Sequence, residues 1–394
     1  MDNLKRNRLN RVKKILQQFF GSLLLLLILV NLAILISGKS YIYFGLKNTY
    51  FKGRSGPDID EFGIFKNREV KPGEFIPLPN GKDYNLKTLD SREFDDYSTI
   101  AFLVIRDDSV RYEKYWDGYS ENSITNSFSM AKSFVGILIG CALQDGLIKS
   151  LDQPVGDFIP EFKEGNNSKL TIRHLLTMSS GINFDENYVS PFAYPAAAYY
   201  GSDIRKLTLS YKVTEEPGKT FKYLSGNTEL LGLILEKCTG KKLADYMSER
   251  LWKYLGAKNS AFWSMDHEQG MEKAYCCFNS NARDFSRFGL LYLHRGNLYG
   301  KQLVPSAYVS ESTQPAPLLN DKGAPNDCYG YQWWLLDYKG HHISCCRGIL
   351  GQYIIVIPDK KMVVVRLGKK RDKIQIDYTP IDLFVYVDKA LENF

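Results

Sequence analysis

The sequence predicts an α+β fold: one antiparallel sheet built from both ends of a domain, flanked by helices, with a mostly helical insertion between the two halves. Three observations predict it. Residues 100–105 form an unbroken apolar run, and after a polar turn at 106–109 residues 110–116 alternate, the pattern of a buried strand and its hairpin partner. Residues 331–336, 352–357 and 362–367 repeat the strand pattern near the C-terminus. Between these groups the apolar spacing is helical, which argues against the alternating order of a parallel βαβ sheet.

Taken in chain order, the first element is a basic tail. Residues 1–18 carry six Lys/Arg against Asp2, so they hold +5 of the net +7 and leave only +2 on the other residues of the 394-residue chain. A nucleic-acid-binding face needs clustered cations beyond such a tail, and Lys369-Lys370-Arg371 is the only other short run. Residues 19–37 follow as an apolar stretch without an ionised side chain, reaching the roughly 18–20 residues that cross a bilayer as a helix. It is longer than the apolar core of a cleavable signal peptide, and Ser37-Gly38-Lys39-Ser40 is a poor cleavage site. A transmembrane signal anchor is therefore expected, with the basic tail cytoplasmic and everything beyond it extracytoplasmic.

Residues 38–90 are rich in Gly and Pro, as in Gly56-Pro57 and Pro72-Gly73, which predicts a connector with short elements. Residues 91–394 form the main domain. Within it, residues 129–147 read as a buried helix closed by Asp145-Gly146, and further helices are expected from Thr171, over 228–237 before Gly240, over 282–294, and over 381–392. The seven cysteines include the adjacent pairs Cys276-Cys277 and Cys345-Cys346, neither with the spacing of a zinc site. An odd count leaves at least one thiol free.

The chemistry is carried by Ser129-Met130-Ala131-Lys132, an S-x-x-K motif at the start of the first domain helix. Lys132 lies one turn beyond Ser129 on the same face. A hydroxyl becomes a nucleophile when a base takes its proton, and a buried lysine with a lowered pKa can do so. The helix N-terminus favours a developing oxyanion, for which the Ser129 N–H is one donor. About ninety residues later, Tyr223-Leu224-Ser225 offers a phenol that can shuttle a proton.

Other segments accompany these two in a fixed order: Asp145-Gly146-Leu147-Ile148, Leu151-Asp152-Gln153-Pro154-Val155, Thr171-Ile172-Arg173-His174-Leu175-Leu176, Glu216-Pro217-Gly218 and Ala282-Arg283-Asp284-Phe285. Together they resemble the serine β-lactamase superfamily, in particular the branch holding class C β-lactamases, D-alanyl-D-alanine carboxypeptidases, carboxylesterases and 6-aminohexanoate-dimer hydrolase. The resemblance runs over most of residues 95–370. It implies Ser129 as nucleophile, Lys132 as its activator and Tyr223 as a shared general base and acid. Ser225 stands at the third position of the family's Y-x-N motif, and no metal or cofactor is implied. The family's K-T-G motif is absent. Fitted to the strand before Gly351-Gln352-Tyr353, its place falls on Ile343-Ser344-Cys345, which makes the Cys346 N–H the second oxyanion donor.

The resemblance implies acyl-enzyme hydrolysis of a small-molecule or peptide-like ester or amide. The missing K-T-G lysine removes the usual contact to a substrate carboxylate, and this favours a substrate other than penicillin. Arg347 is either a replacement anion contact or an ordinary exposed cation. Two alternatives stand beside this reading: a D-Ala-peptidase or β-lactamase, and a catalytically silent binding protein of the same fold. His341-His342 reads as a solvated strand end and His174 as a core residue. Trp333, Trp334, Tyr329 and Tyr331 read first as packing.

Overall fold

The computed structural model describes residues 2–90 and 92–394; the expected domain boundary at residue 91 lies outside the described residues. The fold is α+β. Strands β1 (Thr99–Arg106) and β2 (Ser109–Tyr115) open the domain as a hairpin, and β3 (Trp334–Tyr338), β4 (His341–Gly348), β5 (Gln352–Ile357) and β6 (Met362–Gly368) close it. They form one sheet in the order β2-β1-β6-β5-β4-β3, antiparallel at every pairing. The join between the two ends of the chain is the β1–β6 ladder, with Val104 opposite Val364.

Both faces of this sheet are covered, so its central strands are predominantly apolar. Every residue of β5 and β6 is buried. Helix α6 (Ile381–Asn393) packs Leu383, Tyr386 and Val387 on one face, against Phe102, Val104 and Ile355. The other face meets helices α3 (Met130–Gln144) and α5 (Ala282–Leu293). Phe134 of α3 stacks on Phe288 of α5 with ring centroids 3.8 Å apart. The adjacent Cys345 and Cys346 thus fall on opposite faces, one in each core.

The insertion between β2 and β3 holds α3, α4 (Ser225–Thr239) and α5. The helix expected from Thr171 is a short one, Ile172–Leu176, with Thr171 and His174 in a reciprocal capping box. The insertion also supplies three strands of a four-stranded sheet that the sequence pattern did not suggest; it is formed by Asn67–Val70, from ahead of the hairpin, then Ala261–Ser264, Phe278–Ser280 and Thr125–Asn126 in that order. These strands have two to four residues, too few for a period to register. Residues 38–90, expected as a connector, therefore contribute a strand to the domain. They also contribute helix α2 (Tyr41–Asn48), whose Gly45 backbone lies against the Tyr200 ring.

Ahead of these runs α1 (Asp2–Ile36), a helix long and apolar enough to cross a membrane. Cys276 and Cys277 form a disulfide with each other, and the other five cysteines are free.

The Phe134–Phe288 stack joins the helix that starts at Ser129 to the sheet-covering helix. Phe134→Ala removes a fully buried ring and is expected to destabilise the detergent-solubilised protein by about 3–5 kcal/mol. A thermal unfolding midpoint equal to the wild type's would contradict this packing.

Candidate active site

Ser129 sits where a tight turn meets a buried helix. The chain reaches it through Phe128, whose φ of 45° is left-handed, a conformation that costs a bulky residue about 1–3 kcal/mol. The Phe128 N–H is held by the Asn126 side-chain carbonyl at 2.8 Å. Ser129 is the N-cap of α3, so its hydroxyl lies at the positive end of the helix dipole.

One turn later Lys132 comes back to the same point. Its Nζ lies 3.1 Å from Ser129 Oγ and donates to the Tyr275 carbonyl at 3.0 Å. It also lies 5.1 Å from the ring centroids of both Tyr223 and Tyr275. The side chain is buried, and among the described residues no carboxylate lies within ion-pair distance of it. Desolvation therefore dominates and pulls its pKa down to about 8, with Glu186 and Glu229 acting weakly in the opposite sense.

Tyr223 completes the cluster. Burial pushes it above the ordinary phenol range, an effect that neighbouring Ser129 partly offsets, so it remains a protonated donor at neutral pH. Its ring is held 5.2 Å from Trp334 and 6.0 Å from Tyr329. Trp333 stacks on Tyr292 at 4.0 Å, and Tyr331 bonds Glu311 at 3.3 Å and contacts Arg173. These four aromatics pack and support.

The opposite wall corrects one expectation. Cys346 is fully buried, its thiol beside Ser133 of α3, and it pairs with Ile354 of β5. The segment that meets the turn before Ser129 is Gly348-Ile349. A side chain at Gly348 would come within 2.4 Å of the Ser127 carbonyl, so only glycine lets the strand end approach so closely. Ile349 lines the same cavity as Ser129 and heads a short 3-10 turn, which leaves its N–H without an intrahelical partner. Arg366 fixes that turn by donating to the Leu350 and Gly351 carbonyls at 3.1 and 2.7 Å. The fit by motif landed three residues early because neither Lys nor Thr marks the strand end in this chain.

Ser225, the first residue of α4, does not present a free hydroxyl. Its Oγ and N–H both donate to Glu186, as does the Tyr188 hydroxyl. Glu186 escaped sequence reasoning because its partner lies 39 positions away. The Tyr275 carbonyl escaped because a backbone acceptor leaves no trace in residue type. Arg347 is not an exposed cation: it is buried, its guanidinium lies 3.7 Å from the Trp334 ring centroid, and it donates to the Tyr378 carbonyl at 2.7 Å. His341 and His342 do have acidic partners, Asp359 at 2.6 Å and Asp337 at 2.7 Å, at the end of β4 away from Ser129. His174 is the half-buried helix-capping residue already described.

Neutral Lys132 is the form that can take a proton, and at pH 7 it is about a tenth of the total for a pKa near 8. Hydrolysis is therefore expected to gain rate with rising pH through about 8 and then level off. A pH–rate profile of kcat/KM with no limb between pH 6.5 and 9 would contradict this, as would a Lys132→Arg variant within a few-fold of wild-type activity.

Comparison with known proteins agrees with this geometry. The Beta-lactamase family matches residues 91–378. The 6-aminohexanoate-dimer hydrolase of Paenarthrobacter ureafaciens is 25% identical over 346 residues, covering 82% of this chain and 86% of that one. Protein flp of Staphylococcus aureus strain MW2 is 30% identical over 174 residues, 41% of this chain and 34% of that one. Among solved structures, a Bacillus anthracis protein provisionally described as a 6-aminohexanoate-dimer hydrolase superposes with a TM-score of 0.72 at 26% identity, covering 89% and 93% of the two chains. An octameric penicillin-binding protein homologue from Pyrococcus abyssi superposes with a TM-score of 0.57 at 20% identity, covering 76% and 75%, and so shares the fold. On the span of residues 91–378 and on this shared architecture, the chain is a hydrolase-fold protein that belongs to the Beta-lactamase family.

Proposed function

We propose that this protein is a serine hydrolase that cleaves an ester or amide through an acyl-enzyme on Ser129, held by α1 at the extracytoplasmic face of a membrane. The observation that carries the reading is the buried Lys132 amine 3.1 Å from Ser129 Oγ, with no carboxylate paired to it among the described residues. A lysine so placed has a low enough proton affinity to act as a base and a short enough reach to use it.

In the first step Ser129 Oγ attacks the substrate carbonyl carbon while its proton passes to Lys132. The oxyanion of the tetrahedral intermediate sits between the N–H groups of Ser129 and Ile349. Collapse breaks the bond to the leaving group, which takes a proton relayed through Lys132 and the Tyr223 phenol. Water then attacks the acyl-enzyme, giving up its proton to the same pair, and the acid product leaves as Ser129 is regenerated. The basic tail keeps the N-terminus cytoplasmic and places the domain outside.

A second reading has its own support. Buried Arg347 has a guanidinium Nε without a partner and lies against Trp334, which packs on Tyr223. A substrate carboxylate at that point, as in a D-Ala-terminated peptide or a β-lactam, would find a cation there. Labelling separates the two readings. Ser129→Ala is expected to lose fluorophosphonate labelling and at least about 1,000-fold of p-nitrophenyl ester turnover. Wild-type labelling by a fluorescent penicillin would favour the second reading, and full turnover by Ser129→Ala would remove both.

A further inference from the structure

The cavity at Ser129 has a volume of about 470 Å³, within the range of sites that enclose a drug-sized ligand. None of the residues lining it is charged. Ser129, Ile349, Val189 and Tyr199 are among the residues that line it. Ile42 and Leu46 of α2, the helix that starts five residues after α1 ends, line it as well. The segment joining the apolar helix to the domain is thus part of the active-site cavity.

The position of α2 relative to α1 is fixed by contacts. The Tyr43 hydroxyl donates to Asn31 Oδ1 at 2.6 Å, and Asn31 lies five residues inside the end of α1, which is about 7–8 Å along the helix axis. Tyr41 donates to the Pro191 carbonyl at 3.0 Å, and Lys39 lies 4.8 Å from the centre of the Phe192 ring. Nearby, Tyr50, Phe51, Val189 and Phe192 are all more than half exposed. Aromatic and apolar side chains beside a lysine are the composition of a membrane–water interface, and clustered exposure of this kind marks an interaction surface. The uncharged cavity lining is therefore shared by the candidate nucleophile and by α2, the helix that follows the end of the apolar helix.

We infer that the substrate is a membrane-resident amphiphile, an ester or amide whose hydrocarbon acyl chain passes from the bilayer along α2 into this cavity while its polar leaving group faces water. The inference rests on the acyl-enzyme reading above and adds the substrate class. In the balanced reaction the acyl carbon exchanges its bond to the leaving oxygen or nitrogen for a bond to Ser129 Oγ. The proton lost by Ser129 ends on the leaving group, and water releases the chain as a fatty acid. Each methylene drawn into the cavity is favourable by the ordinary transfer free energy of apolar surface, so chain length is what the site reads.

The test uses the full-length protein reconstituted in vesicles of phosphatidylethanolamine and phosphatidylglycerol, with Ser129→Ala as the blank. First, p-nitrophenyl esters from acetyl to palmitoyl are compared. The expected result is at least a tenfold rise in kcat/KM from butyryl to dodecanoyl, and Leu46→Lys, which places a charge on the cavity wall, collapses that ratio. Second, p-nitrophenyl palmitate is dissolved either in the enzyme's own vesicles or in separate ones. Turnover is expected to be at least tenfold faster when enzyme and ester share a bilayer. Equal use of short and long esters, or a ratio unaffected by Leu46→Lys, would overturn the inference and leave the serine hydrolase standing. Equal rates from shared and separate vesicles would overturn the bilayer as source. If Ser129 takes up no fluorophosphonate and no ester turns over, the acyl-enzyme reading itself fails.

Discussion

The site depends on one desolvated amine. Lys132 is enclosed by the two rings of Tyr223 and Tyr275 and held between Ser129 Oγ and a backbone carbonyl, and among the described residues no carboxylate lies within ion-pair distance of it. An ion pair at that point would raise its proton affinity and work against its proposed role as a base. The surroundings therefore have to be close-packed, neutral and dry. The burial of nearly all of α3, from Met130 to Ala142, serves that requirement.

Each part of the fold supplies one wall. The insertion contributes the Tyr275 carbonyl and, just before α4, Tyr223. The sheet contributes the Gly348-Ile349 corner, which approaches Ser127 closely because residue 348 has no side chain. Arg366, buried within β6, holds that corner while also donating to Thr99 Oγ1 of β1 at 3.0 Å. The first and last strands of the sheet are thereby tied to the turn beside Ser129. This explains why a sheet built from both ends of the chain suits the site: its geometry is complete only when both ends have met.

Much of this was legible in residue order. Long apolar runs gave β1, β5 and β6, and helical spacing with Gly240 gave α4, because burial on both faces or on one stripe leaves a periodic trace. Ser129, Lys132 and Tyr223 were named from motif spacing, and the structure brings the three together. What escaped had no such trace. Cys346 was chosen in place of Ile349 because a donor that acts through backbone can carry any side chain. Glu186 was missed because its contacts with Ser225 and Tyr188 depend on how a loop folds. The part played by residues 38–90 was missed because their breakers concealed both α2 and the strand Asn67–Val70.

The region that was hardest to read joins the candidate site to the apolar helix α1, and it makes the nature of the acyl group the open variable of the proposed mechanism. The acyl-enzyme itself is the central claim. The most direct measurement is intact-protein and peptide mass spectrometry of enzyme quenched in acid within milliseconds of mixing with excess p-nitrophenyl dodecanoate. The account predicts one added dodecanoyl group, located on the peptide containing Ser129, formed and lost at rates compatible with turnover. Turnover with no adduct at any time, or an adduct on another residue that persists in Ser129→Ala, would contradict it.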